Sequence, residues 1–451
     1  MPGWELIVGC VGKPSAGKST FFNAVTDGSA KVGNYPFTTI EPNTGITYYM
    51  TDCPCKTKGL SKECHPLYGF CKDGQRQIPL KLLDVAGLIP GASEGAGLGN
   101  KFLDDLRHAH VLVHIVDVSG RTNEKGENTV GYDPSRDIDW LYDEIHAWIF
   151  NNIYKKWSGI IRKYSTFCNS EKPKGLAELL QLQLSGYGTT PSQSAAIVRY
   201  LNLKEPVDLN SWSADDVHRL VDAFMYIRFP IVVALNKADC KGKTDDNILK
   251  IMKRYNKDNV DWKSRDHLKV RDIVVISAAS ECFLKKLAAQ KYITYNRGDT
   301  MFLTREDEME ATGKSKLKKI DATVSDRLEK IMDMVLFRYG STGVWNVVTS
   351  AVKCMNPTIV YPVTSMTTYK GPRGGVFSTC YVLHQHATVE DLRMLLVNAE
   401  NIPCVSIEAA DGRVMGEEDE IENNSIVKIN TRSNVDFSVC YIKGVSSTRL
   451  Y

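Results

Sequence analysis

A glycine-rich sequence with the spacing G-x-x-x-x-G-K-S follows an apolar run near the start of the chain and opens a helical segment. Glycines in such a loop let successive backbone N–H groups surround phosphate oxygens, and the helix N-terminus adds a favourable dipole. We expect Lys18 to reach the β- and γ-phosphates of a nucleotide and the Ser19 hydroxyl to ligate Mg²⁺. The residues of this phosphate-binding loop are Gly12, Lys13, Pro14, Ser15, Ala16, Gly17, Lys18, Ser19 and Thr20.

A second sequence, Asp84-Val85-Ala86-Gly87, ends another apolar run. A carboxylate at this position can hold Mg²⁺ through water, and the Gly87 N–H can contact the γ-phosphate. The pattern Asp-x-x-Gly alone is typical of ordinary turns. Its position at the carboxyl end of a predicted strand, where open α/β sheets bind ligands, makes it informative.

A third sequence, Asn236-Lys237-Ala238-Asp239, follows the apolar run at 230–235. The Asp239 carboxylate can accept hydrogen bonds from guanine N1–H and the exocyclic amino group, neither of which adenine offers. Sites built on such hydrogen bonds discriminate by roughly 10⁴–10⁵. Ser277-Ala278-Ala279, after the last predicted strand, could supply a backbone N–H to the guanine carbonyl. Four elements in this order predict a GTPase domain that uses Mg²⁺ and GTP.

Short apolar strands that alternate with helices must position these sequences. Runs at 6–11, 78–83, 111–116, 231–235 and 273–276 predict βαβ units and a mostly parallel sheet. Between the third and fourth runs the periodicity becomes helical, which predicts a helical insertion. There Ser213 and Asp216 have the spacing of a capping box, and an apolar stripe predicts core packing. The stripe is Trp140, Leu141, Ile145, Trp148 and Ile149.

Beyond the last strand, apolar residues at helical spacing predict further helices, and the charge-rich stretch at 304–319 predicts a loop or an exposed helix. Strands at 360–363, 379–383, 405–407 and 426–429 with one helix at 389–397 then predict a small α+β domain. The predicted divisions are 1–119 and 230–356 for the nucleotide domain and its helical extension, 120–229 for the insertion, and 357–451 for the last domain.

Composition places the chain among globular proteins. Hydrophobic residues make up 43% and charged residues 24% of its 451 residues, which excludes disordered and fibrous classes. The formal net charge of +3 is too balanced to identify a nucleic-acid binder. No apolar run approaches the roughly 20 residues of a membrane-spanning helix, and a secretory signal pattern is missing. We therefore expect a cytoplasmic protein with no membrane partner, and a monomer is favoured.

Together the motifs resemble the translation-factor-related class of P-loop GTPases. The sequence YPFTTIEPN at 35–43, the sequence DVAGL at 84–88 and the glycine-rich sequence at 91–103 resemble the Obg-like, YchF-related subfamily. The likeness covers nearly the whole chain and is strongest over 5–120. It implies an α/β fold, a Ras-like P-loop G domain with a helical insertion and a C-terminal TGS-type β-grasp domain at roughly 358–431.

The resemblance also implies roles for single residues. Thr39 would be the switch threonine that completes Mg²⁺ coordination, and it joins Lys18 and Gly87 as a candidate catalytic residue. Leu88 would occupy the position of a water-orienting glutamine, so intrinsic hydrolysis is expected to be slow. The four-glycine loop at 91–99 is a candidate switch. Ribosome or RNA binding through the TGS domain is implied, with positive surface from Lys370, Arg373, Lys428 and Arg432.

Two departures from the family pattern bear on specificity. Obg-like ATPases of the YchF group carry Glu where this chain has Asp239, which favours GTP over ATP here. Ser15 stands where the family often has the Asn tied to potassium activation, so potassium dependence is open. The competing hypotheses are an Obg-like ATPase and a nucleotide-binding scaffold with negligible turnover.

An insert before the second predicted strand contains four cysteines, Cys53, Cys55, Cys64 and Cys71. Four thiolates can form a tetrahedral Zn²⁺ site. However, C-x-C is a less typical opening than C-x₂-C, and reduced cysteines packed in a loop explain the pattern as well. The sequence leaves both interpretations open.

Overall fold

The computed structural model describes residues 6–26, 43–85, 105–170, 174–255 and 265–431. Two sheets organise this part of the chain. The larger has the strand order β2-β4-β1-β5-β6-β7, with β3 paired to β4, and the smaller has the order β10-β11-β8-β9. The strands of the larger sheet are β1 (Ile7–Val11), β2 (Thr44–Asp52), β3 (Cys71–Lys72), β4 (Gln75–Asp84), β5 (Val111–Asp117), β6 (Ile231–Asn236) and β7 (Asp272–Val275).

The larger sheet is parallel from β4 through β7, whereas β2 and β3 pair with β4 in antiparallel orientation. All five strands predicted from apolar runs are present. The central strands β5 and β6 are buried along their whole length, which suits parallel strands covered by helices on both faces. The predicted phosphate-binding loop follows β1, and Asp84 ends the neighbouring strand β4, where it is the register partner of Cys10.

Helices surround the sheet and fill the segment between β5 and β6. They are α1 (Lys18–Val25), α2 (Ser135–Tyr154), α3 (Trp157–Cys168), α4 (Leu176–Leu184), α5 (Pro191–Tyr200), α6 (Ala214–Arg228), α7 (Thr244–Tyr255), α8 (Asp266–Lys269), α9 (Ala278–Ala289), α10 (Arg305–Thr312), α11 (Ala322–Ile331), α12 (Phe337–Tyr339) and α13 (Val344–Met355). A π-helical segment, Met332–Leu336, joins α11 to α12.

The helical region between β5 and β6 packs on one face of the sheet through the predicted apolar stripe. Leu141, Ile145 and Ile149 of α2 are fully buried, and Trp140 and Trp148 pack against the same core. Arg228, at the end of α6, is buried and donates to the carbonyls of Ala109 and Arg107 beside the sheet. The stripe is therefore core, as predicted. The opposite face of the sheet is covered by α1 and α13.

The capping box predicted before α6 is confirmed. The Ser213 hydroxyl accepts from the Asp216 N–H, and the Asp216 carboxylate accepts from the Ser213 N–H at 2.9 Å. Two backbone donors that the helix cannot satisfy internally are thereby paired.

Ser213→Ala is expected to lower the free energy of unfolding of the helical region by about 1 kcal/mol, because it removes this N-cap acceptor. The measurement is the urea midpoint followed by far-UV circular dichroism. Ser325→Ala deletes the same hydroxyl from an exposed position inside α11, where alanine is the better helix former. Equal effects of the two substitutions would contradict the capping role.

The end of the described chain forms the small mixed sheet. Its strands are β8 (Thr358–Val363), β9 (Tyr381–Leu383), β10 (Ser406–Glu408) and β11 (Ser425–Asn430), and β8 pairs in parallel with β11. Helix α14 (Val389–Met394) continues as a π-helical turn, Leu395–Ala399. Residues 358–431 are called the C-terminal module below. The charge-rich stretch at 304–319 contains the exposed helix α10, which agrees with the sequence prediction.

Among the described residues, none of the helices is long and apolar enough to cross a membrane.

Candidate nucleotide-binding site

The loop between β1 and α1 depends on backbone conformations that favour glycine. Gly12 has φ +148° and Gly17 has φ +99°; added Cβ atoms would lie 2.5 Å from the Ile115 carbonyl oxygen and 2.3 Å from the Asn236 side-chain nitrogen. Both positions therefore exclude side chains. The first turn of α1 has neither a side-chain cap nor an acidic residue, which leaves its N–H groups available for an anion.

Lys18, Ser19 and Asp84 meet beside this loop. The Lys18 ammonium donates to the carbonyls of Gly12 and Lys13, each at 3.0 Å. Burial lowers the pKa of Lys18, while the neighbouring Asp84 acts in the opposite direction. The Ser19 hydroxyl lies 3.4 Å from an Asp84 carboxylate oxygen. A hydroxyl and a carboxylate side by side are the hard oxygen ligands that Mg²⁺ prefers, so this donor set fits the ion.

The carboxyl ends of β6 and β7 bring the predicted base-recognition residues together. The Ser277 hydroxyl donates to Asp239 Oδ1 at 2.6 Å. Asn236 accepts from the Ala278 N–H at 3.1 Å and donates to the Ala16 carbonyl at 2.9 Å. One asparagine side chain therefore connects the base-recognition segments directly to the phosphate-binding loop.

The amides of Ser277 and Ala278 already have acceptors. The Ser277 N–H donates to the Thr342 carbonyl at 3.0 Å. The Ala278 N–H donates to Asn236 and lies at the base-recognition segment.

Asp117, at the end of β5, is a site residue that the sequence reasoning missed. It accepts from the Lys237 ammonium at 2.7 Å, from the Ser119 hydroxyl at 2.6 Å and from the Thr122 hydroxyl at 2.8 Å. Burial acts to raise the pKa of Asp117, but these hydrogen bonds outweigh it and hold the pKa below its ordinary value. The ion pair fixes Lys237, which has a left-handed backbone, φ +69°. An aspartate that ends a mostly apolar strand was the available signal.

The side chain of Lys13 contacts the helical region between β5 and β6. It is 1% exposed, and its ammonium lies 2.9 Å from Asp137 Oδ2 on α2 and 2.8 Å from the Thr122 carbonyl oxygen. It also lies 4.2 Å from the Tyr132 ring centroid. The ammonium is therefore held by the helical region.

Several predicted residues lie outside the described ranges. They are the switch threonine Thr39, Gly87, Leu88 and the glycine-rich loop at 91–99.

The basic residues predicted to form a positive surface on the C-terminal module are partly neutralised. Arg373 pairs with Glu400, and the Lys428 ammonium lies 2.9 Å from a Glu408 carboxylate oxygen. Lys370 is exposed, and Arg432 lies outside the described ranges. Two of the four predicted charges are thus offset by glutamates in the described structure.

Two protein families match the segments that form the site. Residues 7–142 match the family described as "50S ribosome-binding GTPase", and residues 234–365 match "Obg-like GTPase YGR210-like, G4 motif-containing domain". The first match contains the phosphate-binding loop and Asp84, and the second contains Asn236 and Asp239.

Individual relatives extend these matches along the chain. An uncharacterized GTP-binding protein from Schizosaccharomyces pombe is 44% identical over 420 residues, which are 93% of this chain and 96% of that protein. The crystal structure of a GTP binding protein from Pyrococcus horikoshii OT3 gives a TM-score of 0.64 at 28% identity and covers 94% of this chain and 100% of that chain. The ribosome-binding ATPase YchF of Mycoplasma pneumoniae is 40% identical over 111 residues, 25% of this chain and 28% of that protein.

Proposed function

This chain belongs to the Obg-like GTPases of the YGR210/YchF-related class, and we propose that it hydrolyses GTP slowly as a molecular switch that acts on the ribosome or on RNA. Membership implies nucleoside triphosphate hydrolysis, and P-loop GTPases typically use Mg²⁺ and GTP. The observation that carries the proposal is a set of hydrogen bonds between the two ends of the site. Ser277 bonds to Asp239, and the adjacent Ala278 bonds to Asn236, which in turn bonds to the phosphate-binding loop.

At the phosphate end, the chain supplies amides, one ammonium and oxygen ligands. Residues of the phosphate-binding loop, Gly12 through Thr20, would surround the phosphates with backbone N–H groups. Lys18 would exchange its two carbonyl partners for phosphate oxygens. Ser19 and Thr39 would ligate Mg²⁺ and Asp84 would hold it through water; the ion would neutralise charge between the phosphates. The Gly87 N–H would contact the γ-phosphate.

At the base end, the geometry favours guanine. One Asp239 oxygen accepts from Ser277, so the carboxylate is held in place while it retains capacity to accept from guanine N1–H and the amino group. The guanine carbonyl would share the Ala278 N–H with Asn236, and Lys237 would be held against the nucleotide by Asp117. Adenine would leave this half-buried acceptor unpaired in the complex, which is costly.

Two competing functions remain to be separated from this one. The ATPase alternative follows from the partial likeness to YchF, and Asp239 opposes it. The scaffold alternative follows from Leu88, because a leucine in the water-orienting position cannot hydrogen-bond the attacking water. We assign slow turnover rather than none, since charge stabilisation by Lys18 and Mg²⁺ does not depend on that residue.

We expect GTP to bind at least about 10²-fold more tightly than ATP, because only guanine satisfies Asp239. Competition titration of the purified chain with labelled GTP and ATP measures the ratio, and the nucleotide released after native purification gives an independent check. A preference for ATP would overturn the assignment.

Single-turnover hydrolysis with and without ribosomes tests the switch itself. A slow basal rate that ribosomes increase supports it, whereas bound GTP that stays intact under both conditions supports the scaffold.

The domain organisation is part of the same proposal. We infer a Ras-like nucleotide domain over 1–119 and 230–356 interrupted by the insertion at 120–229, and a TGS-type β-grasp domain at 357–451. The mixed small sheet with one packed helix supports the last assignment. Binding of this domain to ribosomal RNA would involve phosphate contacts and should weaken as salt is raised. Association that persists unchanged at high salt would contradict RNA contact.

A further inference from the structure

The four cysteines between β2 and β4 converge on one point. The sulfur atoms of Cys53, Cys55, Cys64 and Cys71 all lie within 4.8 Å of one another, and three of the four residues are buried. They belong to an insert at 53–74, here called the cysteine insert. Cys53 follows the end of β2, Cys64 lies in a loop, and Cys71 starts β3 opposite Arg76 of β4.

The sulfur spacing agrees with a tetrathiolate metal site. Zn–S bonds of about 2.3 Å in a tetrahedron place sulfur atoms about 3.8 Å apart. Here Cys53 and Cys64 are 3.9 Å apart, and Cys55 and Cys71 are 3.6 Å apart. Disulfide bonds would require about 2.05 Å, so these are separate thiol groups and not oxidised pairs.

The surroundings supply the charge that such a site needs. Four thiolates around Zn²⁺ carry a net charge of −2, and burying that charge requires a compensating cation. Arg76 is 2% exposed, lies on β4 opposite Cys71, and forms no ion pair with a carboxylate among the described residues. Its Nε has no hydrogen-bond partner there either. A buried guanidinium with this environment fits an anionic metal–thiolate centre.

The cysteine insert is also the surface on which the C-terminal module packs. Cys53, Cys55 and Cys64 share an apolar cluster with Ile359, Tyr361 and Phe377 of that module. Arg76 donates to the carbonyls of Phe377 at 2.5 Å and Ser378 at 3.1 Å.

Backbone contacts add to this packing. The Leu67 N–H donates to the Ser378 carbonyl at 2.8 Å, and Cys64 forms a β-bridge with Val376. Ordering the insert therefore orders its contact with the module.

We propose that Cys53, Cys55, Cys64 and Cys71 bind one structural Zn²⁺ ion, and that this ion holds the cysteine insert in the shape on which the C-terminal module docks. A site with four thiolate ligands is closed to a fifth group, which assigns it to structure and not to catalysis. Thiolate ligands select zinc over the magnesium of the nucleotide site. A short insert with few regular elements gains its order from such a cross-link.

Metal analysis of the 451-residue chain tests the site. The chain, purified without a histidine tag or chelator and kept reduced, should contain about one zinc per molecule by mass spectrometry. Cobalt-exchanged protein should show the intense absorption of tetrahedral cobalt thiolate. A chain that contains no metal, or iron in place of zinc, overturns the proposal.

A matched pair of substitutions locates the ion. Cys64→Ser should lose most of the zinc, whereas Cys168→Ser, in the helical region, should retain it. Equal zinc contents in the two variants would exclude the cysteine insert. If Cys64→Ser does not fold, the cobalt spectrum of the unmodified chain decides, because absorption bands without thiolate character contradict the ligand set.

Hydrogen exchange tests the docking role. Removal of zinc by a thiol-binding mercurial should increase amide exchange in the cysteine insert and at 376–378, while β1 and α1 keep their protection. Increased exchange confined to the insert would refute the link to the C-terminal module. GTP titration of the same samples measures nucleotide affinity independently. A failure of the docking proposal can therefore be distinguished from a failure of the proposed nucleotide site.

Discussion

Lys18→Ala should lower GTP hydrolysis by at least about 10²-fold and weaken GTP binding strongly, while the fold is retained. Transition-state stabilisation by a fixed positive group in a partly dehydrated site accounts for losses of this size when it is removed. Lys18 is the loop cation placed for this role, because its ammonium already lies over the loop carbonyls of Gly12 and Lys13. The neighbouring lysine cannot replace it, since the Lys13 ammonium is held by Asp137.

The measurement combines fluorescent GTP titration with single-turnover hydrolysis at saturating Mg²⁺. Lys253→Ala is the matched control, because it removes the same charge from an exposed position on α7. Circular dichroism of both variants confirms that the fold is intact. A Lys18→Ala protein with unimpaired binding and turnover would refute the phosphate site, and equal losses in the control would assign the effect to net charge.

The sequence predicted the parts of the site that depend on local patterns. The conformation of the loop after β1 follows from its glycines and the helix that it opens. Each parallel strand was predicted from its own apolar run, without information about the strands beside it. The capping box at Ser213 is equally local, because its two side chains belong to one helical turn. For these features, residues that are adjacent in the sequence are sufficient to determine the local structure.

Features that depend on tertiary contacts were not predictable in the same way. The contact of the Lys13 ammonium with Asp137 could not be foreseen, because Asp137 lies 124 residues further along the chain on α2. In the sequence, Asp117 is only the polar end of a strand. Its ion pair with Lys237, which follows the neighbouring strand β6, is visible only in the folded structure. The edge strand β2 was missed because its buried and exposed residues do not alternate regularly. The sequence likewise shows that four cysteines are close together along the chain, but it does not show whether their sulfur atoms converge in the fold.

The hydrogen bonds of Asn236 connect the two ends of the proposed nucleotide site. Its amide group donates to the phosphate-binding loop at Ala16 and accepts from Ala278 at the start of α9. Under the proposed function, occupation of either end would restrain the other. The Lys13–Asp137 pair extends this connection to the helical region, so ordering of the loop by nucleotide has a direct structural path to the insertion.

Asp239→Asn should reverse base selectivity, with GTP affinity lower by about 10²–10⁴-fold and affinity for xanthosine triphosphate higher. Two hydrogen bonds from guanine to a carboxylate contribute about 3–6 kcal/mol together. The amide keeps an oxygen that can accept from Ser277, so the local structure is preserved. Its NH₂ group, however, faces the donors of guanine, whereas xanthine presents a carbonyl at the same position.

Competition titrations with GTP, xanthosine triphosphate and ATP measure the exchange of preference. Asp326→Asn is the matched control, because that carboxylate is exposed on α11 and pairs only with Lys330 among the described residues. Unchanged GTP preference would remove the assigned role of Asp239. An equal loss of affinity for all three nucleotides would show that Asp239 supports the loop and does not recognise the base. A carboxylate-to-amide change alters which hydrogen bonds the residue can form, so an effect on base recognition must favour one base over another.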